Sequence, residues 1–216
     1  MIPYYKTVRR EASAEIIIKR SQFIGHAKPV HTEEEAVAFI EEIKSKHKQA
    51  THNCSAYKAG DRDQFQKALD DGEPSGTAGK PILEVIKHQG LKNVAIVVTR
   101  YFGGIMLGAG GLVRAYTDGA VAALAAAEPV YRVLHTPVFI SMDYTWWGKV
   151  ENELRGKEVL YGNIEYTDQV TVRCLPLAAD AERFIAWMTD VTQGQCGVRT
   201  DDSEYLEHEE IPAHMH

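Results

Sequence analysis

Two stretches of this sequence gather residue types that could do chemistry. The first is Asp70-Asp71-Gly72-Glu73-Pro74-Ser75-Gly76-Thr77-Ala78-Gly79-Lys80-Pro81, with three carboxylates inside four positions. Hard oxygen ligands suit Mg²⁺, and paired carboxylates can serve as a general base, so Asp71 and Glu73 are the catalytic or Mg²⁺-holding candidates. The alternative is a turn whose Asp and Ser side chains accept from local backbone N–H groups. The run of Gly and Pro over twelve residues marks a loop long enough to be functional.

The second stretch is Thr99-Arg100-Tyr101-Phe102-Gly103-Gly104-Ile105-Met106-Leu107-Gly108-Ala109-Gly110-Gly111-Leu112-Val113-Arg114. It leaves an apolar strand and enters a helix through five glycines, Gly103, Gly104, Gly108, Gly110 and Gly111. Glycine lets backbone N–H groups approach a ligand, and a helix N-terminus favours an anion. Arg100 and Arg114 can each bind phosphate through two parallel hydrogen bonds, with Lys80 as a third cation. The stretch is not a P-loop, because no Gly-Lys-Ser/Thr ending follows. It also lacks the full Gly-x-Gly-x-x-Gly spacing with a ribose-binding acid beyond it. Tight packing of strand on helix would demand glycine equally.

Other residues carry weaker signals. His52 and Cys54 sit at i, i+2 on an extended segment and so share a face, which permits a thiol nucleophile with a base beside it. A cysteine in a strand is otherwise a small buried hydrophobe. His208, His214 and His216 near the end could hold a stray metal ion or belong to a frayed tail. Trp146-Trp147 at a helix start reads as core or interface.

The elements that must position these groups follow from periodicity. Residues 7–19 and 22–30 read as extended and break near Arg20-Ser21. Thr32-Glu33-Glu34-Glu35 is a capping box, and Ala36, Phe39, Ile40 and Ile43 behind it mark one helix face reaching about Lys48. Residues 50–59 read as extended and 82–87 as a short helix stopped by Gly90. Val94-Ala95-Ile96-Val97-Val98 reads as a strand buried on both faces. Residues 112–127 form an alanine-rich helix. Beyond Pro137, Val138, Ile140 and Met142 alternate as in a half-buried strand, and Trp147, Val150 and Leu154 mark a helix. A hairpin turns at Thr167-Asp168-Gln169; Ala181, Phe184, Ile185 and Met188 mark a second helix, and 195–200 a last strand. That order, βαββαβ, is the ferredoxin-like unit.

The chain has 216 residues, 44% hydrophobic and 25% charged, with a formal net charge of −6. Such a balance excludes a disordered acidic tail, a collagen-like repeat and a disulfide-stapled miniprotein. Residues 1–133 hold 18 basic and 15 acidic side chains, whereas 134–216 hold 6 and 15. The asymmetry suggests two units, 1–133 and 137–210, joined by a short link near residues 131–137. The longest uncharged stretch, 105–113, is too short to cross a bilayer, so no membrane partner is expected. Three cysteines without a Cys-x-x-Cys pair, and a start lacking a secretory apolar core, point to reduced thiols and a cytoplasmic protein.

The two loops, together with Lys19-Arg20-Ser21-Gln22-Phe23-Ile24 and His52-Asn53-Cys54, resemble the motifs of the YigZ branch of the IMPACT family. The resemblance implies an α+β protein. Its first domain would share the fold of small-subunit ribosomal protein five and elongation factor G domain four, and a ferredoxin-like domain would follow. Eukaryotic relatives regulate translation by binding the activator of a stress kinase, and the shared fold suggests RNA, the ribosome or a translation factor as partners. In that reading Lys80, Arg100 and Arg114 contact phosphates, the glycine backbone offers N–H donors, and Asp71 and Glu73 orient the cations or hold Mg²⁺. The rival reading is an enzyme acting on a small phosphorylated or acidic substrate, with Asp71 or Glu73 as base and Arg100 stabilising developing charge. Neither reading requires a further cofactor.

Overall fold

The computed structural model describes residues 1–157 and 159–212, so His214 and His216 lie outside the described residues. It divides into two compact units, Tyr5–Tyr131 and the combination of Met1–Tyr4 with Arg132–His216. Both are α+β, as the resemblance implies.

In the first unit, β1 (Tyr4–Val8) is followed by β2 (Ala12–Ile18), β3 (Ser21–Pro29), α1 (Glu33–Lys46), β4 (His52–Ala59), β5 (Phe65–Leu69), α2 (Gly79–His88), β6 (Val94–Tyr101) and α3 (Gly108–Ala127). Five strands form one sheet in the order β2-β3-β6-β4-β5, every neighbour antiparallel. Because β6 is central, its alternate residues enter two cores. Val94, Ile96 and Val98 pack with α2 and α3, whereas Ala95 and Val97 pack with α1. The capping box forms as the sequence suggests: Thr32 Oγ1 accepts from Glu35 N at 3.2 Å, although the Glu35 carboxylate reaches back to His31 N rather than to Thr32 N.

Three expectations shift, and one strand, β5, is added. The extended stretch 7–19 is two strands, because the chain breaks where Arg9 N donates to the carbonyls of Ala127 and Glu128. β5 carries no apolar alternation, being an edge strand that is half-buried only at Phe65 and Leu69. α3 starts at Gly108, four residues early, so the last three glycines of the loop belong to the first turn of a helix. The supposed link near 131–137 is largely a strand, β7 (Pro129–His135).

The second unit contains β8 (Val138–Met142), α4 (Tyr144–Arg155), β9 (Leu160–Tyr166), β10 (Val170–Leu175), α5 (Ala181–Val191), β11 (Cys196–Thr200) and β12 (Glu204–His208). Its antiparallel sheet has the order β11-β8-β10-β9, the ferredoxin-like arrangement. Val138, Ile140 and Met142 meet Val150, Leu154, Phe184 and Met188 in the core. β12 is not expected from the sequence. Within this unit Leu134 N donates to Pro3 O, and the Tyr205 hydroxyl donates to Ile2 O.

Candidate functional site

One end of the first unit's sheet gathers nearly every residue singled out above. Arg100, at the end of β6, lies opposite Phe23 of β3 and His52 of β4. The loop after β5, the loop after β6 and the β2–β3 turn all arrive at that row. The turn is Lys19-Arg20, both with positive φ (45° and 67°), as a two-residue hairpin loop needs. The loop after β6 crosses it closely. Gly103 N donates to Ser21 Oγ at 3.1 Å, and a Cβ on Gly103 would come within 2.0 Å of the Arg20 carbonyl carbon, so only glycine fits.

The acidic loop lies at the surface but turns Glu73, Thr77, Ala78 and Gly79 inward. Asp70 Oδ1 accepts from Ala78 N and Gly79 N at 3.1 and 2.8 Å, and Oδ2 from Gly76 N at 2.8 Å. Asp70 thus caps the start of α2 with a negative charge. Burial alone would raise its carboxyl, but the three amide donors outweigh burial and hold it below the usual range. Asp71 Oδ2 accepts from Asn53 N at 2.7 Å, and its other oxygen lies 3.5 Å from Lys44 Nζ. Glu73 is buried. Its Oε1 accepts from Arg100 Nη1 at 2.6 Å and from the Tyr116 hydroxyl of α3 at 2.7 Å. Burial first, then the neighbouring Cys54 and Glu73, push the Tyr116 phenol well up, so it remains a donor.

The structure therefore brings Asp71, Glu73 and Arg100 together but gives them anchoring work. Arg100 is 6% exposed and lies between the rings of Phe23 and Phe102, at 5.5 and 5.4 Å; it ties the acidic loop to the central strand instead of facing solvent. Each of the three carboxylates has its own donors, and no group of three or more His, Cys, Asp or Glu side chains among the described residues is arranged to hold a metal ion. The Mg²⁺ reading of the loop finds no geometry to support it.

The thiol reading meets the same obstacle. His52 Nδ1 donates to the Asp71 carbonyl at 2.8 Å, and Cys54 Sγ donates to the Asp70 carbonyl at 2.9 Å. Burial pushes the Cys54 thiol up to about 12, so a thiolate does not form near neutral pH.

Lys80 and Arg114 are exposed instead, at the starts of α2 and α3. Gly104, Gly108 and Gly110 are also exposed, and Gly111 is half-buried. The N-cap of α3 is Leu107, and no hydrogen bond from another described side chain reaches its first turn. Sequence reasoning misses four further cations at this end, Lys19 and Arg20 on the turn and Lys46 and Lys48 beside His47. His47 reaches the row through the Tyr101 hydroxyl, 3.0 Å from its Nδ1. All six are exposed and have no ion pair among the described residues. Their signal is present in the sequence but scattered over 96 positions. Phe102 and Met106 stand exposed among them, Met106 at 85%.

Comparison with known proteins gives consistent matches. A profile described as the Impact N-terminal domain matches residues 19–124, and one described as Domain of unknown function (DUF1949) matches residues 140–195. The chain is 47% identical over 207 residues to the IMPACT family member YvyE of Bacillus subtilis (strain 168), covering 96% of this chain and 95% of that protein. It is 36% identical over 186 residues to the IMPACT family member YigZ of Escherichia coli (strain K12), covering 82% and 88%. A crystal structure of a hypothetical protein is similar with a TM-score of 0.60 and 31% identity, over 94% of this chain and 99% of that one.

Proposed function

The chain belongs to the IMPACT family, and from that membership we propose that it is a cytoplasmic, translation-associated protein that docks a phosphate-rich RNA on the Arg100 end of its first unit. One observation carries the reading: six exposed cations without an ion pair among the described residues, Lys19, Arg20, Lys46, Lys48, Lys80 and Arg114, sit on or beside elements that turn, start or finish at that end, where α3 also starts with no side-chain cap among the described residues. Phosphates bind through such cations and through free backbone N–H groups, and a local patch suffices where net charge is small. Phe102 offers an exposed ring against which an unpaired base can stack. Glu73 and Arg100 act as positioning residues that hold the two loops in place. The enzyme reading has less support, because Asp71 and Glu73 are committed to internal donors.

The test is a titration of a fluorescent single-stranded RNA with wild type and the double variant Lys80→Glu/Arg114→Glu, at two salt concentrations. Wild-type affinity should fall with salt. The variant should bind more weakly, with a salt slope reduced by about 0.7 for each phosphate that the protein no longer neutralises. Absence of binding, or equal binding by both proteins, would overturn the RNA reading. It would turn attention to a protein partner.

A further inference from the structure

The second unit holds a cavity of about 740 Å³ that the translation reading does not use. Its volume lies within the roughly 300–1,000 Å³ typical of small-molecule sites. One wall is apolar, formed by Leu160, Leu175, Leu177, Phe184 and Trp187. The polar groups of the other wall are mostly satisfied among themselves. His135 Nδ1 donates to the Leu175 carbonyl at 2.8 Å, which leaves its Nε2 to accept from His208 Nε2 at 2.9 Å. Burial lowers both imidazoles from their ordinary value, so the pair is neutral at pH 7. Arg183 and Asp180 neutralise one another at 3.0 Å. Lys157 remains, its ammonium 5.5 Å from the Trp187 ring centroid and in no ion pair among the described residues.

An apolar wall with a positive charge at its edge that no described carboxylate pairs selects a ligand with an apolar body and a single negative head. We propose that this cavity binds a small amphipathic carboxylic acid, its hydrocarbon part against Leu177, Phe184 and Trp187 and its carboxylate on Lys157. The assignment is independent of the RNA surface, since every lining residue belongs to the second unit.

The experiment uses the full chain and the fluorescent probe anilinonaphthalene sulfonate, an apolar monoanion. One saturable site is expected, emptied by octanoate and not by octylamine. Leu177→Trp, which adds bulk to the apolar wall, should weaken binding. Lys157→Glu should weaken it at least tenfold, since it removes one charge-assisted hydrogen bond and sets a like charge beside the anionic head, with an unchanged melting curve. If Leu177→Trp melts early, Lys157→Glu decides alone. No saturable binding, displacement by amine as readily as by acid, or wild-type affinity in Lys157→Glu would overturn the proposal.

Discussion

The loops that follow β5 and β6 make an instructive pair. Both are rich in glycine, both reach the Arg100 row, and each runs into a helix. The first is closed by its own carboxylate: Asp70 supplies from within the chain the negative charge that the start of α2 favours. The second leaves α3 without a side-chain cap, bordered by cations that no described carboxylate neutralises. A helix start that is already satisfied is architecture, whereas one without a described side-chain cap is where the proposed RNA would dock. The difference lies in whether the anion is internal.

The sharpest way to break that comparison is Glu73→Gln. It keeps the side-chain volume but strands the Arg100 guanidinium in the interior, and removing one partner of a buried ion pair costs about 3–5 kcal/mol. Chemical denaturation should read that loss, and a cost below about 1 kcal/mol would mean the acidic loop is not anchored as described.

A smaller loss is expected for Asp70→Asn, about 2 kcal/mol, since three amide donors would face a neutral acceptor in place of a charged one. This residue also sets a pH dependence. Its folded carboxyl lies below the ordinary value of 3.8, so its contribution is complete above that value and is lost as pH falls through the folded one. Wild type should therefore lose stability on acidification into that range, and Asp70→Asn should lose less.

At the other extreme, Lys80→Glu and Arg114→Glu should each change stability by no more than about 0.5 kcal/mol while weakening RNA binding. A large stability effect at Arg114 would make the second loop as structural as the first and erase the contrast.

How much of this can be read from the sequence depends on the distance between partners. The capping box at Thr32 and Glu35 is legible because both members lie in one turn. The two-faced burial of β6 is legible from five consecutive apolar residues. The role of Glu73 is legible only in part: its pairing with Arg100 is expected from the two loops, whereas its bond from Tyr116, 43 positions away, carries no signal. Its spacing from Asp71 imitates a catalytic pair, although the two carboxylates face different donors. β5 escapes a reading by pattern because a mostly exposed edge strand carries no apolar alternation. α3 begins earlier than its composition suggests because glycine is a poor helix former, and packing overrides that preference.

The anchoring of Asp70 also bears on motion. The amides of Gly76, Ala78 and Gly79 occupy what the sequence presents as a surface loop, where protons normally trade with water through brief local openings. Here those N–H groups point at a carboxylate whose loop is pinned to the central strand through Glu73 and Arg100. The same loop that carries them is held by a buried ion pair. Their deuterium uptake should consequently follow the slow, cooperative opening of β6 rather than the fast fluctuations of a loop, which makes this segment kinetically part of the core.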